Sequence, residues 1–541
     1  MIESQITAAV ESYRDARTYG EGDIATWRPR LASADHAVLK DAGIIRARAR
    51  DLVRNNPFAK NAVRMNRDAV SGSGLKLALK IDWRSLGLKS IEVAAEWQDF
   101  VVRQWESFAE GFGFQADARR QRTFSQLFAL VDMTDYVDGE AIAVIEQKPG
   151  IGPYTTCLNL VDPDRLSNPS WTQDQRYLRG GVEHDSFGEP VAYHIRLAHP
   201  SDVGIGLDSQ QWARVERTTP WGRPIVLHTY DQTRPEMSRG VSEFASAIVP
   251  MKMLAQYNDT ELQTAIVQAA YAAVIKTELD WSSAMQVLGG QIKGTASSGN
   301  PMTDMVTAHL SGAAKYYEKR DITWNGARIP HLLPNETLDV VRSTHPNSNF
   351  ADFEKAFLRQ LSAGLGVEAH ELSKNYADVN YSAARAALAA VWRTYRTRRM
   401  RMVNQLAMPF FGAWLEEAVA LGTVPMPPGV TDFVGARQYL VRGTFIAWGK
   451  PLIDPLKERQ ASEVGMKIGA ETLEEICAED GQDWRDNLDQ LAYEKRYREG
   501  LGLVDPLDPL SSLALHQAEQ APADEDPDEA DRKERASGRA R

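Results

Sequence analysis

His370 and Glu371 begin like the HExxH of a zinc protease, where two imidazoles one helical turn apart hold the metal and the intervening glutamate activates water. Position 374 is lysine, so the second imidazole is missing and no metal site is expected there. Asp162 and Asp164 form a DPD that resembles the carboxylate pair of a metal-dependent nuclease. Asp and Pro also favour turns held by side-chain-to-backbone bonds, and no third carboxylate is tied to this pair by spacing, so a turn is the stronger reading. The chain has no GxxxxGK[ST] loop to cradle ATP phosphates and no GxSxG nucleophile elbow. With two cysteines, Cys157 and Cys477, neither a disulfide framework nor a cysteine-rich zinc site is expected. These residues point to no enzyme, no metal and no cofactor.

Two basic clusters remain. Arg46, Arg50 and Arg54 recur every four residues on one helical face, and Arg393, Arg396, Arg398, Arg399 and Arg401 crowd a second helix. Either would suit a phosphate backbone. The formal net charge of −11 favours instead their pairing with carboxylates of neighbouring subunits or a solvated face, because nucleic-acid-binding modules are usually basic.

The segment VEAHELSKNYADVNYSAARAAL, from Val367, is polar and poorly periodic between two helical runs. Before it, Phe350, Phe353, Phe357, Leu358, Leu361 and Leu365 lie at helical spacing and Gly364 and Gly366 supply a stop. After it, Ser382 opens a run reaching Gly422, which Pro409 should kink.

The whole chain, of 541 residues, is too long for a single core. Up to about Thr233 it mixes helical runs, around Trp105 and from Phe124, with β-rich stretches such as EAIAVIEQ, TTCLNLV and PVAYHIRLA. Residues 241–276 read as a helix interrupted at Pro250, and 277–344 turn to Gly, Ser and Pro-rich pieces. MPPGVTDFVGARQYLVRGTFIAWGKP reads as a proline turn and a strand pair, and Asp454 to about Tyr497 as short helices separated by Gly469 and Gly481. From Asp505 the chain has too few apolar residues to order itself. The N-terminus lacks a basic-then-apolar signal sequence and no apolar run reaches the roughly 18 residues of a membrane span, so a soluble protein without membrane contact is expected.

Several stretches, in this order, resemble the portal proteins of tailed bacteriophages, in the family typified by phage lambda. They are DLVRNNPFAKNAVRMNRDAVSGSGLKL from Asp51, NLVDPDRLSNP from Asn159, GVEHDSFGEPVAYHI from Gly181, RPEMSRGVSEFASAI from Arg234, NYSAAR from Asn380 and PLIDPLKERQA from Pro451. The resemblance implies an α+β, predominantly helical portal fold with wing, stem, clip and crown regions. Its boundaries would be an N-terminal wing at 1–240, a first stem helix at 241–276, a clip at 277–344 and a second stem helix at 345–366. A tunnel loop would follow at 367–381, a long kinked wing helix at 382–422, a wing-to-crown connection at 423–453, crown helices at 454–504 and a disordered charged tail at 505–541.

The resemblance also implies a twelve-subunit ring at one capsid vertex, assembled in the host cytoplasm and kept in the virion. Double-stranded DNA would pass through it during packaging and ejection, and terminase, the major capsid protein and a neck or tail adaptor would be its partners. An acidic channel would repel phosphate and let DNA slide. The face Phe350, Phe353, Phe357 and Leu361 would pack stem helices side by side. Glu368, His370, Glu371, Ser373, Lys374, Asn375, Tyr376, Asp378 and Asn380 would line the channel, with Lys374 and Asn375 as donors to phosphate. A capsid adaptor or scaffold that never contacts DNA is the alternative, and a nuclease built on unrecognised carboxylates a distant third.

Overall fold

Helices form wherever apolar residues recur every three or four positions, and a computed structural model describes residues 29–503 apart from 30, 151, 203–206, 272–321, 325–326, 330–349, 378–379, 450–453 and 502. The chain opens with helices α1 (Ala34–Asn55) and α2 (Pro57–Val70), then β1 (Lys76–Leu79), α3 (Ile91–Ala109) and α4 (Phe124–Asp138). Strands follow: β2 (Glu140–Gln147), β3 (Thr156–Val161), β4 (Leu178–Arg179), β5 (Val182–His184), β6 (Pro190–Arg196), β7 (Trp212–Glu216) and β8 (Val226–Tyr230). Next come α5 (Ile248–Tyr271), the hairpin β9 (Ile322–Trp324) and β10 (Ala327–Ile329), α6 (Phe350–Leu365), the short α7 (Ala369–Ser373), α8 (Tyr381–Met402) and α9 (Met408–Ala420). The chain ends with α10 (Phe433–Leu440), β11 (Gly443–Ile446), α11 (Pro455–Lys467), α12 (Leu473–Glu479) and α13 (Trp484–Gly500). The fold is α+β and predominantly helical. Among the described residues no helix is long and apolar enough to cross a membrane.

The chain divides into two compact units. The first comprises Met1–Ala69, Leu127–Lys148 and Thr155–Pro409 and contains two antiparallel sheets, ordered β3-β2-β8 and β4-β5-β6-β7. Strand β2 is buried along six consecutive residues, Glu140 followed by the apolar run AIAVI. A second core in this unit joins Leu52, Ala59, Val63, Tyr136, Phe244, Met251, Leu361, Leu365 and Leu372, drawn from α1, α2, α4, α5, α6 and α7.

Glu140 and Arg239 meet at the start of β2, where two backbone segments touch. A Cβ on Gly240 would fall 1.9 Å from the Gly139 carbonyl oxygen, so only glycine fits. Arg239 Nε donates to both Glu140 carboxylate oxygens at 2.8 and 2.7 Å. Its terminal nitrogens donate to the carbonyls of Leu166 at 2.9 Å, Gly180 at 2.7 Å and Pro163 at 2.9 Å. Arg46 and His228 also reach Glu140, at 3.1 and 3.0 Å. Burial alone would push the Glu140 carboxyl up, but the charge of Arg239 and the bonds from His228 and Arg239 outweigh it and hold it well below the ordinary range.

The second unit comprises Val70–Gln126, Pro149–Tyr154 and Phe410–Arg541. Its core is aromatic: Trp105 lies 5.2 to 6.0 Å, centroid to centroid, from Phe108, Phe124, Phe410, Phe411, Trp414 and Phe445. Strand β11 pairs antiparallel with β1, not with a neighbour in sequence, and helix α10 precedes it. The strand pair expected within 423–453 is therefore a helix and one strand, because the second strand comes from Lys76–Leu79. The helices beyond Asp454 are separated near Gly469 and Gly481, as their spacing predicts, and Thr472 with Glu475 forms a reciprocal capping box at α12.

The two prolines act differently from each other. Pro250 does not interrupt a helix: α5 starts at Ile248, and a proline in the first turn removes only an N–H that would have no partner. Pro409 has no N–H for the Gln405 carbonyl, and the preceding turn Val403–Ala407 widens to a π-helix in which the Met408 N–H bonds the Val403 carbonyl. The Gln405 side chain then takes the Tyr230 N–H at 3.2 Å and donates to its carbonyl at 3.4 Å. Most of 277–344 and all of 505–541 lie outside the described residues.

Arg239→Met leaves the Glu140 charge short of its main partner and should cost about 3–5 kcal/mol of stability in chemical denaturation; a loss below about 1 kcal/mol would show that water reaches the pair. Asp132, fully buried and bonded by Asn66 at 3.0 Å, has its carboxyl pushed up to about 7, by burial first and then by Asp135. A raised carboxyl favours the fold below its unfolded value and loses that advantage as pH rises through the folded one. Asp132→Asn should therefore gain thermal stability over the unaltered protein from pH 4 to about 7, with the gap constant above. A gap independent of pH would show that the carboxylate stays charged.

Candidate functional site

The segment after α6 is anchored at its base and free at its tip. Gly366, with φ +65, ends α6 where a side chain would be strained. The Val367 N–H returns to the Ser362 carbonyl at 3.1 Å, and Val367 is buried. Glu368 caps the next turn by accepting from the Glu371 N–H at 2.7 Å, so the segment read as a plain loop contains the five-residue helix α7. Leu372 is buried in the helical core, and Asn61 on α2 donates to the carbonyls of both Glu371 and Leu372 at 3.0 Å.

Lys374 adopts φ 56 in the left-handed region and stops α7. Beyond it Lys374, Asn375 and Tyr376 are exposed, Tyr376 to 57%. Ser373 Oγ donates to the His370 carbonyl at 3.2 Å and accepts from the Asn375 N–H at 3.2 Å, and the Asn375 side chain accepts from the Ala377 N–H at 3.1 Å. Asn380 caps α8, accepting from the Ala383 N–H at 2.8 Å. Asp378 lies outside the described residues. Burial pushes the Glu371 carboxyl up while the Lys374 charge opposes it. A cavity of about 200 Å³ beside α7 is lined by Lys355, Arg359, His370, Ser373 and Asn375. Lys374 and Asn375 are thus surface donors, and Glu368 and Asn380 are used as caps.

The apolar face of α6 splits. Leu361 is buried in the subunit's own core, whereas Phe353 is 41% exposed and lies 4.8 Å from the Tyr257 ring on α5 and 4.7 Å from Phe357. Phe350 stacks on Tyr257 at 5.7 Å.

Much of the two basic clusters finds carboxylates in its own chain. Arg46 pairs with Glu140 and Asp164, and Arg50 with Asp138, Asp162 and Asp164. Asp162 accepts from the Asp164 N–H at 2.9 Å, the turn that the DPD predicts. Its carboxylates approach His199 closely enough to suggest a cation site, but two guanidinium groups already occupy them. On α8, Arg398 reaches Asn66 and Glu243, Arg399 the Ala69 carbonyl, and Arg401 Asp135, while Arg393 and Arg396 are exposed. Spacing shows the shared face and not the partner: Arg46, Arg50, Arg398 and Arg401 meet carboxylates of their own chain in place of a neighbouring subunit's, while Arg54, Arg393 and Arg396 are exposed, as the solvated-face reading has it. Asn61 and Tyr136, the residues that anchor the loop, carry no local signal; Asn61 and its acceptor Glu371 are 310 positions apart.

Comparison with known proteins covers nearly the whole chain. The family described as phage portal protein, lambda family, matches residues 21–399. The portal protein of Escherichia phage N15 is 34% identical over 489 residues, covering 90% of each chain. Portal protein B of Escherichia phage lambda is 32% identical over 487 residues, covering 90% of this chain and 89% of the relative. Among solved structures, the neck of a native gene transfer agent particle computed with C12 symmetry matches with a TM-score of 0.39 and 13% identity, over 80% of this chain and 90% of that one. By its family match and by its identity to two phage portal proteins over nine-tenths of its length, this chain belongs to the lambda family of phage portal proteins.

Proposed function

We propose that this portal protein assembles as a closed ring, twelve subunits around, at one vertex of the capsid, and that double-stranded DNA passes through its channel in packaging and ejection. The observation that carries this reading is the 34% and 32% identity to two portal proteins over 90% of the chain. The subunit is built in the host cytoplasm and stays in the virion. Terminase, the major capsid protein and a neck or tail adaptor are its partners, and DNA translocation is powered by terminase, since this sequence has no phosphate-cradling loop. Wing, stem, clip and crown follow the boundaries given above, with α5 and α6 as the stem helices.

Within that ring the exposed ring of Phe353, with the half-buried Tyr257 and Phe350 beside it, supplies apolar surface for the neighbouring subunit's stem. The segment 367–381 faces the channel. Lys374 and Asn375 meet phosphate without reading sequence, and the net charge of −11 keeps the wall from binding DNA tightly.

Replacing Phe353 and Phe357 by Asp places charges on the stem contact at a cost of several kcal/mol if they are buried. Rings should be lost in mass measurements, and an unchanged ring of normal stability would remove this face from the subunit contact. Shortening Ser373 to Val379 to a few glycines changes loop-closure energy only slightly, so rings and empty shells should form normally while stable, fully packaged particles fall. Lys374→Asn keeps a residue tolerant of the left-handed backbone, removes one cation and should give a milder deficit. Wild-type packaging and DNA retention in both variants would take the channel role away from this segment.

A further inference from the structure

The elements around the loop converge on one buried pair of side chains. Tyr136, on α4, is fully buried, and its hydroxyl donates at 2.8 Å to the carbonyl of Leu365, the last residue of α6. The Arg398 guanidinium, on α8, lies over the Tyr136 ring at 4.8 Å from its centroid. Arg398 also donates to Asn66 Oδ1 on α2 and, at 2.9 Å, to Glu243 Oε1. The Glu243 N–H returns to the Tyr136 carbonyl at 3.3 Å, and Phe244 meets the Tyr136 ring edge-on at 5.5 Å. Glu243 and Phe244 lead into α5.

Leu365 stands just before the loop and Arg398 follows it on the next long helix, so one contact grips the chain on both sides of the exposed tip. Apolar side chains would fill this volume without the desolvation cost of a buried guanidinium. What a phenol aimed at a main-chain carbonyl and a planar cation seated on its ring add is direction, because each bond weakens steeply with angle and distance. We propose that Tyr136 and Arg398 are positioning residues for the loop, fixing its base and coupling it to the start of α5, so that a displacement of α5 or α6 is passed to the loop. The proposal rests on the channel reading of the loop for its consequence and not for its geometry.

Tyr136→Phe keeps the ring and removes only the hydroxyl. Its effect is read by hydrogen exchange on assembled full-length protein, at the amides of Val367 and Leu372. Losing one net hydrogen bond should speed exchange there by roughly five- to tenfold, while ring size and the protection of α3 amides are unchanged. Arg398→Met should show the same local pattern and Arg398→Lys part of the native protection; if Arg398→Met does not fold, Tyr136→Phe decides alone. Unchanged exchange at Val367 and Leu372, or a rise spread evenly over all helices, would overturn the positioning role. Faster local exchange with normal DNA packaging would support it and instead remove the loop's contact with DNA.

Discussion

One carboxylate sealed from water organises the first unit. Taking Glu140 and Arg239 out of solvent costs several kcal/mol per ion, and the pair is tolerable only where the remaining N–H groups and lone pairs are answered as well. They are answered here by main-chain carbonyls at Pro163, Leu166 and Gly180, by Arg46 and by His228. Those groups come from the turn after β3, the end of β4, helix α1 and strand β8, so the bonds can form together only when both sheets and α1 have taken their places. The glycine contact between residues 139 and 240 lets the two backbones approach closely enough for the pair to close.

The second unit solves its packing with rings around Trp105, which are apolar and only loosely directional. The first unit buries ions, amides and a phenol, each demanding a partner at a stated angle. An apolar core tolerates repacking at constant volume, whereas a buried polar network admits few alternatives. The loop and the lead-in to α5 belong to the polar unit, and this unit therefore has the means to hold a backbone segment in one orientation.

What was legible in the sequence was local. Helices α3, α4 and α6 and the short helices beyond Asp454 follow from periodicity and glycine stops, and the α+β class follows from them. The five residues of α7 span little more than one turn, too short to show a period, and its caps, Glu368 and Lys374, read as loop residues. Pro250 and Pro409 are both helix breakers by type, yet one sits harmlessly in a first turn and the other coincides with a π-helix, a distinction set by register. Partners distant in sequence escaped altogether: the strand that pairs with β11, the carboxylates that meet Arg46 and Arg50, and Asn61 beneath the loop. Lys374 and Asn375 are exposed, while Leu361, expected to pack stem helices side by side, is inside the chain's own core.

Among the described residues, the hydrogen bonds that Tyr136 and Asn61 make to the base of the loop end on main chain. Tyr136 holds the carbonyl of Leu365, and Asn61 holds those of Glu371 and Leu372. Carbonyls are the same in every residue, so the attachment is blind to which side chains the exposed tip carries. The charge and aromaticity of the exposed tip can therefore change without loss of these two attachments. The frame beneath need not be rebuilt each time.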